Sequence, residues 1–218
     1  ITLSSDAFGH GLGGEVLPPI TIENQEASLS ISVSPSVHDP ENPEKNISLR
    51  LFDSNTDAII EHVTFELELK NNGKQILKEI FHDEFGNLNI KVISKNSEEI
   101  TINGIKEPVL GGWMKNGPDQ FVLQGPIFMS GGLYEFNVKI LSINSDSNVL
   151  TDEIKLQGAI SIAETNSFSV FNSQNKEQTV QIISYFDSLE NFSFESNEII
   201  FSMPFDWNQD LEQLSVVH

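Results

Sequence analysis

The sequence predicts an all-β chain: an immunoglobulin-like antiparallel β-sandwich with additional strands or a partial second β-domain behind it. Two observations carry that expectation. Apolar residues recur at every second position through short segments, and clusters of turn-forming residues separate those segments at intervals of about ten residues. A third observation agrees with them, since no segment holds a 3.6-residue apolar stripe for more than about one turn.

Residues 1–27 are rich in Gly and Pro and carry no sustained period, so they predict a signal remnant and a flexible extension. The alternation then begins. Leu29, Ile31 and Val33 alternate with serines, followed by Ile47, Leu49 and Leu51, then Val63, Phe65, Leu67 and Leu69. Leu88, Ile90 and Val92 form a fourth run, and Tyr134, Phe136, Val138 and Ile140 another. Each has one apolar face, as a half-buried strand requires. Asp53-Ser54-Asn55-Thr56-Asp57, Asn71-Asn72-Gly73, Phe85-Gly86-Asn87 and Asn103-Gly104 mark turns, because these residues tolerate positive φ or bond their own backbone. Residues 28–145 therefore suit one sandwich of about seven strands. The segment from Glu107 to Gly132, with Trp113, Met114 and Phe121, predicts a loop that acts as a lid over the core or as an exposed contact patch. Residues 152–218 supply added strands or a truncated second β-domain.

Composition excludes several classes. The 218 residues hold 32 acidic and 12 basic side chains, a formal net charge of −20. Nucleic-acid binding needs a basic footprint and is disfavoured. There is no cysteine, so disulfides, thiolate zinc sites and a cysteine nucleophile are ruled out. No apolar run approaches the roughly 18 residues of a membrane-spanning helix. Ala7 and Gly9 have the small-residue spacing of a signal-peptidase site, which predicts export to the cell surface or beyond.

The strings His10-Gly11-Leu12-Gly13-Gly14-Glu15, Asp39-Pro40-Glu41-Asn42-Pro43, Gly131-Gly132-Leu133-Tyr134-Glu135 and Met203-Pro204-Phe205-Asp206-Trp207 resemble exported surface proteins of ammonia-oxidising archaea. That resemblance implies a β-sandwich ectodomain at the cell surface and brings no activity with it. Residues 28–145 are also similar, more weakly, to small sandwich domains of copper-handling exported proteins.

Few motifs carry chemistry. Gly9-His10-Gly11-Leu12-Gly13-Gly14 has dinucleotide-motif spacing, but Pro18 and Pro19 follow instead of a helix, so it predicts a tail. Histidine is limited to His10, His38, His62, His82 and His218. If cleavage after Gly9 frees His10, its amine and ring chelate Cu(II), and His62 or His82 completes the site. Asp53-x-Asn55-x-Asp57 matches the first oxygen positions of a calcium loop, but Ala58 and Thr64 stand where Gly and Glu belong. The run predicts a turn with weak calcium binding at most, and Asn144-x-Asp146-x-Asn148 is similar. Asp83-Glu84 and Glu98-Glu99 are neighbours, which point to opposite faces of a strand and make no acid–base couple. Asn46 and Asn191 open glycosylation triplets. The expectation is a non-enzymatic exported module that works by protein binding or self-assembly, with no certain cofactor. The alternatives are an exported copper-binding protein using His10 with His62 and His82, and a hydrolase without a recognisable site.

Overall fold

A computed structural model describes residues 11–107, 110–117, 120–145, 147–171, 177–184, 190–195 and 198–202. The described elements are all strands. In chain order they are β1 (Gly11–Leu12), β2 (Gly14–Val16), β3 (Ile20–Ile22), β4 (Gln25–Ser34), β5 (Val37–His38), β6 (Glu44–Asp53), β7 (Val63–Asn71), β8 (Lys74–Asp83) and β9 (Asn87–Ser94). There follow β10 (Thr101–Asn103), β11 (Ile105–Lys106), β12 (Trp113–Met114), β13 (Phe121–Gly125), β14 (Gly132–Ser142), β15 (Val149–Phe171), β16 (Glu177–Ser184), β17 (Glu190–Glu195) and β18 (Glu198–Ser202).

Two sheets face each other, as the alternation predicts. One runs β1-β15-β14-β7-β8-β12-β11 and the other β10-β13-β9-β6-β4-β2. Their registers bring apolar positions opposite apolar positions, which sets the pairing because a one-residue slip would turn every core side chain to water. Phe136 lies opposite Leu69 and Ile140 opposite Phe65, while Leu49 lies between Ile31 and Leu88. These residues are fully buried. The β7–β8 hairpin turns at Asn72 and Gly73, with φ of 50° and 71°. Two positive values are what the tight turn between right-twisted strands requires.

The boundary expected at residue 27 does not coincide with the strands. β1 pairs with β15 in one sheet, β2 and β3 pair with β4 in the other, and Leu17 and Ile22 belong to the core. Gly13 makes the switch between sheets: its φ is 71°, and a Cβ there would stand 2.8 Å from the Ser36 Cβ. At the other end, Leu156, Ile160 and Ile162 complete the same core, so the first half of β15 is part of the sandwich. Its second half leaves the sandwich and pairs with β16, bringing Phe168 opposite Val180.

The segment from Glu107 to Gly132 is not only a lid. β13 lies in the interior of its sheet, parallel to β9, with Phe121 and Leu123 fully buried. Trp113 is half-buried against the core, and its Nε1 donates to Glu79 at 2.9 Å.

One cation is built into the interior. Lys45 shares the inward face of β6 with Ile47 and Leu49, and its Nζ donates to the carbonyls of Pro35 (2.9 Å) and Val37 (2.8 Å). Those bonds fix the segment that carries β5 onto β15. Burial holds the Lys45 ammonium below the usual lysine range, against the opposing pull of Asp39 and Glu164.

Candidate functional site

Among the described residues, the first half of β15 has an open place beside it. Between Ile154 and Ile162 its register with β14 is unbroken. In an antiparallel ladder every second residue turns both its N–H and its C=O away from the partner strand. Ala159 belongs to that set, since its N–H donates to the Glu15 carboxylate at 2.9 Å. Ser161 and Ala163 continue it: β1 pairs at Ser161, and the Ala163 N–H donates to the Ser36 carbonyl at 2.8 Å. In the other direction Lys155 and Gln157 have the same parity, and among the described strands none lies against them.

A cleft of about 520 Å³ opens along this edge. Leu17, Pro18, Ile20 and Leu156 give it apolar walls, and Glu15 and Glu135 stand on its rim. Gly158 allows the lower wall to close in. A Cβ at that position would stand 2.9 Å from the Glu15 Oε2, 3.0 Å from the Ile31 Cδ1 and 3.2 Å from the Leu17 Cδ2. Beyond the cleft the outer face of the sheet is laced with ion pairs. Lys139 bridges Glu66 and Glu153, and Lys155 pairs with Glu153 at 2.8 Å.

A second polar region lies at one end of the sandwich. Ser142 Oγ donates to Thr64 Oγ1 at 2.7 Å, and Thr64 Oγ1 is 2.9 Å from the Nδ1 of the buried His82. His62 stands beside this chain, with its ring centroid 6.4 Å from that of His82. Thr64, His82, Glu107, Leu110 and Met114 line a cavity of about 290 Å³. Replacing Thr64 with valine keeps the packing and removes the shared hydroxyl. The expected cost is about 1–3 kcal/mol in chemical denaturation, because Ser142 and His82 both lose a partner in the interior. A change under about 0.5 kcal/mol would show that the network carries no weight.

The sequence-derived candidates are thus only partly gathered. His62 and His82 come together, His10 lies outside the described residues, and no cluster of three or more His, Asp or Glu fit to hold a metal exists among the described residues. His38 lies elsewhere, buried 4.0 Å from Glu164. Asp53 closes its own turn: its Oδ1 accepts from the N–H groups of Asn55 and Thr56, both at 2.9 Å, and from the Thr56 hydroxyl at 3.0 Å. Those hydrogen bonds, the Thr56 N–H foremost, hold its carboxyl below the usual range. Asp57 is held by Arg50 at 2.9 Å, and Asp146 of the second acidic run lies outside the described residues. Asn46 is exposed in β6, opposite Ser34 and Lys91, and Asn191 lies in β17.

Reasoning from sequence missed Glu15, Leu17 and Pro18, which it had assigned to a tail. One signal was present: Gly158 interrupts an apolar alternation, and a glycine inside a strand marks close approach of another backbone. No protein-family model, curated protein or solved structure matches this chain.

Proposed function

We propose that this chain is a non-enzymatic, exported or cell-surface module that binds a protein partner by taking up an extended segment at the open edge of β15. The observation that supports it is the coincidence of ladder positions at Lys155 and Gln157, which no described strand pairs, with an apolar cleft along the same edge. Strand addition draws affinity from main-chain hydrogen bonds and specificity from side-chain pockets, and this edge offers both. The charged residues Glu153 and Lys155 guard the edge against indiscriminate pairing, which favours a selective partner over open-ended aggregation. Export rests on the spacing of Ala7 and Gly9 and on the resemblance to archaeal surface proteins.

The test is a proline at Gln157. That N–H points away from β14, so the substitution removes no main-chain bond inside the sheet and only the exposed side-chain bond from Gln157 Nε2 to Asn137 Oδ1, while a strand added from outside would lose its donor and meet the ring. A random heptapeptide library panned on the protein is expected to yield peptides that bind the parent chain and not Gln157→Pro, with the fold of the variant confirmed by circular dichroism. Equal retention by both proteins, or by neither, overturns the reading.

A further inference from the structure

The cleft beside β15 has an uneven balance of charge. Glu15 and Glu135 lie on its rim, and no Lys or Arg of the described residues pairs with either. Glu15 uses Oε2 to hold the Ala159 N–H, but a carboxylate has further acceptor sites. Lys155, the one basic residue of the lining, is paired with Glu153 at 2.8 Å. Most of the other described cations are likewise matched within the chain: Lys78 and Lys139 to Glu66, Lys91 to Glu44, Arg50 to Asp57 and Lys115 to Asp83. What remains is the surplus behind the net charge of −20, and two of its members stand at the cleft.

Resting on the strand-acceptor reading above, we propose that the segment bound at this edge is an extended peptide in which a bulky apolar residue sits next to a lysine or arginine. The geometry of a strand sets that spacing. Successive side chains point to opposite faces, so a residue directed at Leu17, Ile20 and Leu156 places its immediate neighbours on the outer face. Glu135 is exposed on that outer face of β14. A cation there gains an uncompensated carboxylate, and the field of the whole chain draws cationic segments toward it. A second copy of the chain suits the site poorly, because it would bring the same surplus of negative charge.

The experiment reads the composition of the peptides retained from the random heptapeptide library and then the affinity of the best of them. Peptides retained by the parent chain are expected to be enriched in adjacent apolar–Lys or apolar–Arg pairs. The double variant Glu15→Gln/Glu135→Gln keeps an oxygen for the Ala159 N–H and is expected to bind the best peptide about three- to tenfold more weakly, with a shallower dependence on salt. Retained peptides without an excess of Lys or Arg, but still lost on Gln157→Pro, would overturn the basic-partner proposal and leave strand addition standing. Binding untouched by Gln157→Pro would overturn both. Peptide binding that appears only in a chain starting at Gly11 would assign the cleft to residues 1–10 of the same chain and overturn the proposal. Concentration-dependent dimerisation that competes with the peptide would give the edge to a second copy and overturn it equally.

Discussion

Replacing Phe121 with alanine is expected to destabilise the protein by about 3–5 kcal/mol, the range for emptying a buried aromatic site. The residue lies in a Gly- and Pro-rich stretch that by sequence is a lid or a contact patch, and truncation on an exposed patch would change stability by less than about 0.5 kcal/mol. In the structure Phe121 is fully buried, and its ring meets that of Phe81 from the opposite sheet edge-on, with centroids 5.2 Å apart. The pair therefore joins the two layers. For a chain of this size the loss corresponds to a fall in melting temperature of roughly 6–20 °C. Phe121→Leu retains most of the volume and is expected to lose far less. Thermal unfolding of the two variants separates a core role from a surface role, and a near-neutral Phe121→Ala would contradict the placement of β13.

Asp83→Ala is expected to cost about 3 kcal/mol through a different mechanism. The Asp83 side chain is fully buried, and its Oδ1 accepts from the N–H groups of Phe85 at 2.9 Å and Asn87 at 3.0 Å, which closes the turn between β8 and β9. Its Oδ2 pairs with Lys115, which reaches in from the segment after β12. Removing one partner of a buried pair leaves the other uncompensated, commonly at 3–5 kcal/mol. The lower end applies here because Lys115 keeps 25% of its side chain exposed and can turn to water. Asp83→Asn keeps an acceptor for the turn and gives up only the ion pair, so it is expected to lose less than Asp83→Ala. Equal losses in urea denaturation would mean that the turn hydrogen bonds contribute nothing.

These two residues show how unevenly local pattern reports tertiary role. Phe121 and Leu123 follow the two-residue alternation, but the run is short and is framed by Gly117, Pro118, Gly125 and Pro126, so turn chemistry outweighs it locally. Its strand character comes from β9, which pairs with it in parallel across a long connection. Asp83-Glu84 shows only that adjacent carboxylates point apart. That one of them would be buried depends on Lys115, more than thirty positions away. The candidate cleft was still less legible. Leu17 and Pro18 look like part of a tail because β1 and β2 are too short to show a period. Lys45 is not singled out by the sequence reading although it stands in phase with Ile47 and Leu49, and its acceptors on Pro35 and Val37 leave no local signal.

The amino-acid sequence alone determined that this chain is all-β, that its core is drawn from alternating Val, Ile, Leu and Phe, and where several of its turns fall. Side-chain period and turn propensity are local properties, and a two-residue rhythm with one apolar face has few folded solutions other than stacked sheets. Which of the described strands became edges, and hence where β15 has no described neighbour beside Leu17 and Leu156, was decided only by tertiary structure. An edge is defined by the absence of a neighbour, and no residue carries a mark for a strand that fails to arrive next to it.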